Sequence, residues 1–69
     1  MQGIALMRKR AGLTQEALAD MIGVCRETVA RWENGTRNPS MLMMIQLAAA
    51  LGCKIDDLVA EDEEHEDGE

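Results

Sequence analysis

Residues 14–35 read TQEALADMIGVCRETVARWENG, and this stretch decides the fold. Its first half predicts a helix over 14–22, because Thr14 can cap a first turn and apolar residues follow at helical spacing in Leu18, Ala19 and Ile22. Its second half predicts a helix over 26–33, which Asn34-Gly35 would end. Two short helices separated by three residues are therefore expected here.

The joint between these helices is Gly23-Val24-Cys25, which is too short for a hairpin of parallel helices. A glycine lets the chain turn sharply, so the second helix is expected to cross the first at a steep angle. Val29 and Trp32 are expected to face inward, which leaves the polar side of the 26–33 helix projecting from the domain. Such a helix fits the major groove of B-DNA, where its side chains can reach base edges.

The flanking sequence predicts three further helices, over residues 2–10, 40–51 and about 55–60. The single proline and the scarcity of β-branched runs argue against a sheet. The prediction is an all-α, compact bundle of four to five helices. Within the 40–51 helix, the inner face is assigned to Met41, Met44, Ile45, Ala48 and Leu51.

The outer face of the 40–51 helix is also predicted to be apolar, with only one polar residue. Scattered apolar residues are common on protein surfaces, whereas a contiguous apolar patch marks a contact with another protein. Both interpretations stay open for this face, which comprises Leu42, Met43, Gln46, Ala49 and Ala50.

Charge is divided unevenly along the chain, whose net charge is -6. Residues 1–60 hold all seven basic residues and six acidic ones, whereas residues 61–69 hold seven acidic residues and no basic one. This pattern predicts a folded domain at 1–60 followed by a disordered acidic tail at 61–69. The tail is either a solvated end or a competitor of DNA for a basic face.

Catalytic, metal-binding and membrane functions find no support in the sequence. The single histidine, His65, lies in the tail, and no GxSxG or phosphate loop is present, so no enzyme and no cofactor are expected. Cys25 and Cys53 match no zinc-ligand spacing, so no metal is expected either. The absence of a signal peptide and of a long apolar run predicts a cytoplasmic protein without membrane contact.

Cys25 itself has two open interpretations. It lies where the 26–33 helix needs a cap, and a thiol is a weaker acceptor than a hydroxyl, so the cap is expected to be poor. Alternatively, oxidation of a reactive thiol at this helix end would block DNA binding.

Five pieces of sequence, in this order and spacing, resemble the Xre family, the class that includes Cro and the lambdoid phage repressors. They are GLTQEALA at 12–19, Gly23-Val24, RWENG at 31–35, Pro39-Ser40 and Leu51-Gly52. The similarity covers about residues 4–59. It implies a lambda-repressor-like helix-turn-helix domain and a transcriptional regulator, with repression as the default role.

The resemblance also implies roles for individual residues. Base contacts fall on Arg26, Glu27, Thr28 and Arg31. Contacts with the DNA backbone fall on Thr14, Gln15, Asn34, Thr36 and Arg37. Arg8 and Glu33 match a pair that forms a partly buried ion pair between the first and third helices. Chemically, arginine can bind guanine with two hydrogen bonds, and a glutamate can accept from cytosine N4 while excluding other bases.

The expected partner is double-stranded DNA, bound by a homodimer whose half-sites lie about 34 Å apart. The dimer surface stays open between the outer face of the 40–51 helix and Leu58 and Val59. One alternative is an antitoxin that binds both operator DNA and a toxin protein, the latter through the 40–51 helix. Another is a protein-interaction module that has lost DNA binding.

Overall fold

The computed structural model describes residues 1–59, which form helices and no strand. Helix α1 spans Gln2–Arg10, α2 spans Gln15–Ile22, α3 spans Arg26–Asn34 and α4 spans Met41–Leu51. A fifth helical segment occupies residues 55–59. The predicted all-α bundle is therefore confirmed. The predicted tail at 61–69, and the end of the fifth helix at Ala60, lie outside the described residues.

Side-chain caps begin two of the helices where the sequence predicted them. Thr14 Oγ1 accepts a hydrogen bond from Ala17 N at 3.0 Å, and Ser40 Oγ accepts one from Met43 N at 3.2 Å. Helix α3 differs, because Cys25 at its N-terminus makes no side-chain cap hydrogen bond. The expectation of a poor cap at Cys25 is thus confirmed.

The turn between α2 and α3 depends on Gly23. This residue has φ 79° and ψ 34°, a left-handed conformation that glycine adopts without steric cost. The backbone N–H groups of Gly23 and Val24 both donate to Ala19 O, at 2.8 and 3.0 Å. These bonds give the Ala19 carbonyl at the end of α2 two hydrogen-bond donors. The chain changes direction at this turn, and α3 packs against α2 and α1.

A single apolar core joins the helices. Trp32 and Val29 face inward from α3, as predicted, with Trp32 only 4% exposed. Helix α4 packs chiefly on α2 and to a lesser extent on α1. The fully or nearly fully buried apolar residues are Ile4, Leu18, Ala19, Val29, Trp32, Met44, Leu47 and Leu58.

The predicted faces of α4 are wrong in part. Met41 and Ile45, assigned to the inner face, are 63% and 50% exposed, and the core position is instead taken by Leu47 beside Met44. The cause is the composition of α4, which is apolar on almost every side and offers no polar stripe to orient it.

The predicted outer face of α4 changes accordingly. Leu42 and Ala49 are exposed as expected, whereas Met43, Gln46 and Ala50 are half-buried. We define the α4 patch as the exposed apolar residues Met41, Leu42, Ile45 and Ala49.

Residues 55–59 close the bundle over the start of α1. Gly3 lies so near this segment that a Cβ added to it would stand 2.3 Å from the backbone oxygen of Leu58. Leu58 is fully buried, which removes it from the candidate dimer contacts, while Val59 is half-buried. No helix within residues 1–59 has the length and apolar character needed to cross a membrane.

Candidate nucleic-acid interface

The side of α3 that faces away from the core carries the residues predicted to contact bases. Arg26, Glu27 and Arg31 are exposed, and Thr28 is half-buried. The side chain of Arg26 is 50% exposed and that of Glu27 is 62% exposed, with Arg26 Nη2 lying 3.9 Å from Glu27 Oε2. Three of the four residues predicted to contact bases therefore have side chains free to enter a DNA groove, while Thr28 exposes less of its side chain.

Behind this side of α3, the predicted ion pair between Arg8 and Glu33 is present. Arg8 Nε donates to Glu33 Oε2 at 2.7 Å and Arg8 Nη2 donates to Glu33 Oε1 at 3.2 Å. Arg8 Nη1 also donates to Leu13 O at 2.8 Å. The two side chains are only 10% and 9% exposed, and removing one partner of such a pair costs about 3–5 kcal/mol.

Gln15 links this ion pair to the exposed side of α3. Its Nε2 donates to Glu33 Oε1 at 2.9 Å, and its Oε1 accepts from Arg26 Nη1 at 3.1 Å. The family resemblance assigned Gln15 to contact with the DNA backbone, but did not predict its bond to Arg26. No local pattern signals that bond, because it joins side chains eleven positions apart on different helices.

The segment after α3 is held in a defined shape near the end of the helix. Thr36 N and Arg37 N both donate to Arg31 O, at 3.0 and 3.2 Å. Thr36 also donates its hydroxyl to Asn34 Oδ1 at 2.6 Å, so that proton is already engaged, whereas the amide NH₂ of Asn34 remains a potential phosphate donor. Arg37 is exposed beside these residues.

Thr14 completes the set of predicted backbone contacts. Its Oγ1 is the acceptor in the cap of α2, so its hydroxyl proton can still be donated to another group. It is exposed and adjoins Gln15 at the N-terminus of α2, where the helix dipole favours an anion.

The fold and this arrangement of side chains define a class, that of helix-turn-helix DNA-binding proteins. Comparison with known proteins agrees. A family model described as helix-turn-helix matches residues 4–58, and the chain belongs to this family, in its Xre-like form. It is a transcriptional regulator with a helix-turn-helix DNA-binding domain.

Several relatives carry the same domain. An uncharacterized HTH-type transcriptional regulator of Methanothermobacter thermautotrophicus is 43% identical, with 83% of this chain and 84% of the relative covered. A competence pilus inhibition repressor of Acinetobacter baylyi is 31% identical, covering 94% of this chain and 61% of the relative. The crystal structure of the restriction-modification controller protein C.AhdI from Aeromonas hydrophila superposes with a TM-score of 0.76 at 37% identity, covering 83% and 86% of the two chains.

Proposed function

We propose that this protein is a repressor that binds an operator as a homodimer. The observation that carries the proposal is the exposed side of α3, where Arg26 and Arg31 project from a helix held against the core by Val29 and Trp32. Each arginine can donate two hydrogen bonds to guanine. Glu27 would accept from cytosine and disfavour other bases, and Thr28 would contact a base from its half-buried position.

Contacts with the DNA backbone would place α3 in register with the bases. Thr14, Gln15 and Asn34 each retain a hydrogen-bond donor after their contacts within the protein are made. Arg37 adds an exposed positive charge. The Thr36 hydroxyl would have to leave Asn34 before it could donate to a phosphate, so we assign it a smaller part.

The homodimer is proposed to form through the α4 patch. Helix α4 contains no charged residue among its eleven, in a chain with a net charge of -6, so two copies can meet there without direct repulsion. Met41 and Leu42 are 63% and 62% exposed. Helix α4 packs on α2 and α1, so the proposed dimer contact lies on a different helix from the proposed base contacts on α3.

Repression is the simplest activity for a domain of this size. Occupying a promoter is enough to exclude polymerase, and the relative from Acinetobacter baylyi is itself named a repressor. Repression would be tested by placing the selected operator across a reporter promoter. Reporter expression should fall when the protein is present, and expression that rises would contradict the proposal.

The test of operator binding is selection from a randomised duplex library at two salt concentrations. An enriched palindrome with half-sites about 34 Å apart, and affinity that falls steeply with salt, would support the proposal. Arg37→Ala should weaken binding to all sequences alike and reduce the salt slope by about one. Arg31→Ala should relax the preference at one base position, at a cost of about 1–3 kcal/mol. If the wild-type protein enriches no sequence from the library, the proposal that it binds an operator is contradicted.

The α4 patch also supports a second candidate function, that of an antitoxin whose toxin protein covers this face. The two candidates differ in the state of the purified protein. A protein that stays monomeric at high concentration and binds only half-sites would favour the antitoxin, because the patch would then be free for a different protein. A stable dimer that ceases to form when the patch is altered would favour the homodimeric repressor.

A further inference from the structure

Positive charge is left uncompensated at the C-terminal end of α3. Arg26 lies 3.9 Å from Glu27, whereas no acidic side chain within residues 1–59 pairs with Arg31 or Arg37. Both of these arginines are exposed, and they are close in space because Arg37 N donates to Arg31 O at 3.2 Å. We define the arginine site as Arg26, Arg31 and Arg37. Its chemistry suits an anion.

The described part of the chain reaches Val59 near this same end of α3. Leu58 O stands next to Gly3, so close that a side chain on the glycine would meet it. Two residues before Gly3, the amino group of Met1 donates to Trp32 O at 2.8 Å. Residues two apart in a helix are close neighbours, so these contacts put Val59 within about 15 Å of the C-terminal end of α3.

The residues that follow Val59 supply the anion. Residues 61–69, the acidic segment, hold seven acidic side chains and no basic one. A fully extended chain spans about 3.3 Å per residue, so residues 60–69 can reach about 33 Å. Helix α3 has nine residues and is about 13 Å long, so the whole arginine site lies within reach. A segment attached by so short a connection acts at an effective concentration of the order of millimolar.

The exposed basic residues elsewhere offer a weaker site. They are Lys9, Arg10 and Lys54. The first two end α1, about 10 Å along the helix from Gly3, where the chain reaches Val59. Arg10 also lines the same cleft as Asp57, whose carboxylate would repel an acidic segment.

We propose that the acidic segment binds the arginine site and competes there with DNA. Carboxylates and phosphates are bound by arginine in the same way, through two parallel hydrogen bonds, so one can replace the other. DNA must displace the acidic segment before it occupies the arginine site, which lowers the affinity of this chain for every sequence. The inference rests on the proposed function, in which DNA contacts these same arginines.

The first test needs no DNA. A nitroxide is attached through Glu66→Cys, in a protein whose own thiols are removed by Cys25→Ser and Cys53→Ala. The nitroxide broadens the NMR signals of nearby backbone amides, and the effect falls with the inverse sixth power of distance. At low salt, we expect the amides of Arg31 and Arg37 to be broadened most. The broadening should vanish at about 1 M salt, where charges are screened beyond about 3 Å.

A matched pair of double variants identifies the contact. Arg31→Gln with Arg37→Gln removes two positive charges from the arginine site, and should abolish the broadening of α3. Lys9→Gln with Arg10→Gln removes the same charge from the end of α1, and should leave the broadening of α3 unchanged. Broadening that is strongest at Lys9 and Arg10 in the parent protein, or that is even along the chain, would overturn the inference.

The second test measures competition with DNA. A variant in which all seven acidic residues of the acidic segment become the matching amides should bind the selected operator about tenfold more tightly at 50 mM salt, and the gain should shrink as salt rises. Removal of seven negative charges also weakens long-range repulsion of DNA, even if the acidic segment contacts nothing. This variant alone therefore does not identify a contact.

A double-mutant cycle separates contact from long-range repulsion. Arg37→Ala is made in the wild-type and in the amide variant, and operator affinity is measured for all four proteins. If Arg37 binds both the acidic segment and DNA, its loss in the wild type also frees the arginine site. We therefore expect the loss of affinity to be about threefold larger in the amide variant. Equal losses in the two backgrounds would overturn the competition.

The two proposals fail in different ways. Wild-type protein that selects no sequence from the library would contradict operator binding, while the nitroxide experiment would still show whether the acidic segment binds the arginine site. A protein that selects an operator, but shows no preferential broadening of α3, would overturn this inference and leave operator binding intact.

Discussion

At the scale of single residues, helix α3 begins without a side-chain cap. The backbone of Cys25 already has the extended conformation of an N-cap, with φ -78° and ψ 153°, but its side chain caps nothing. A hydroxyl at this position could accept from a backbone N–H of the first turn, whereas the larger and less polar sulfur does so poorly.

Replacing Cys25 by serine should therefore stabilise the protein. We expect Cys25→Ser to raise the free energy of unfolding by about 0.5–1 kcal/mol, the usual contribution of a side-chain N-cap. Urea denaturation monitored by circular dichroism measures this difference. Cys25→Ala is the matched control, because alanine removes the sulfur without adding an acceptor. Equal free energies of unfolding for the serine and alanine variants would show that a side-chain cap at this position does not stabilise the protein.

The two thiols should also differ in reactivity. Cys25 is exposed, whereas Cys53 is half-buried, and burial and, to a lesser extent, the Asp57 carboxylate raise the pKa of the Cys53 thiol. Only the thiolate reacts with alkylating reagents, so near neutral pH iodoacetamide should modify Cys25 before Cys53. Peptide mapping by mass spectrometry follows both sites. The rate at which iodoacetamide modifies Cys53 should increase as the pH rises toward the raised pKa of this thiol. Modification of Cys53 before Cys25 at neutral pH would contradict the prediction.

At the scale of helices, the close packing of α1 on residues 55–59 reverses an expectation from helix propensity. Alanine is a better helix former than glycine by about 1 kcal/mol, so Gly3 would be a natural site for a stabilising change. The structure places a Cβ at this position 2.3 Å from Leu58 O and 2.7 Å from Asp57 O. Both obstacles are backbone atoms, which cannot rotate away as a side chain can.

We therefore expect Gly3→Ala to destabilise the protein, by about 1–3 kcal/mol, as overpacking in a filled site does. Thermal or chemical denaturation measures the change. Lys9→Ala, at an exposed position in the same helix, is the control for propensity alone and should change stability by less than about 0.5 kcal/mol. A Gly3→Ala variant as stable as the wild type would contradict the close approach of the two segments.

At the scale of the whole molecule, the proposed dimer contact and the proposed DNA contact lie on different helices, α4 and α3. Helix α3 carries charged side chains, which the proposed contact with DNA requires, while α4 carries none. Two copies joined through α4 would present two recognition helices to one duplex. Each operator contact would then be made twice, which multiplies affinity without requiring a larger domain.

Ile45→Glu should prevent this association, because it places a charge in the middle of the α4 patch, where Ile45 is 50% exposed. Analytical ultracentrifugation should show a monomer, and affinity for a palindromic operator should drop to that for a half-site. Leu6→Glu is the matched control, since Leu6 on α1 is 55% exposed and the change in charge is the same. A dimer that survives Ile45→Glu would place the interface elsewhere.

The sequence by itself determined helices α1 to α4, to within one residue at each end, and the class of the protein, because these depend on local properties. Apolar spacing and the caps at Thr14 and Ser40 operate within a few residues, and so does the turn at Gly23. Only the tertiary structure decided which side of α4 is exposed, since a helix that is apolar nearly all round is oriented by the neighbours it packs against and not by its own pattern. It also decided that Gln15 joins Glu33 to Arg26, because contacts between side chains on different helices follow from how those helices cross.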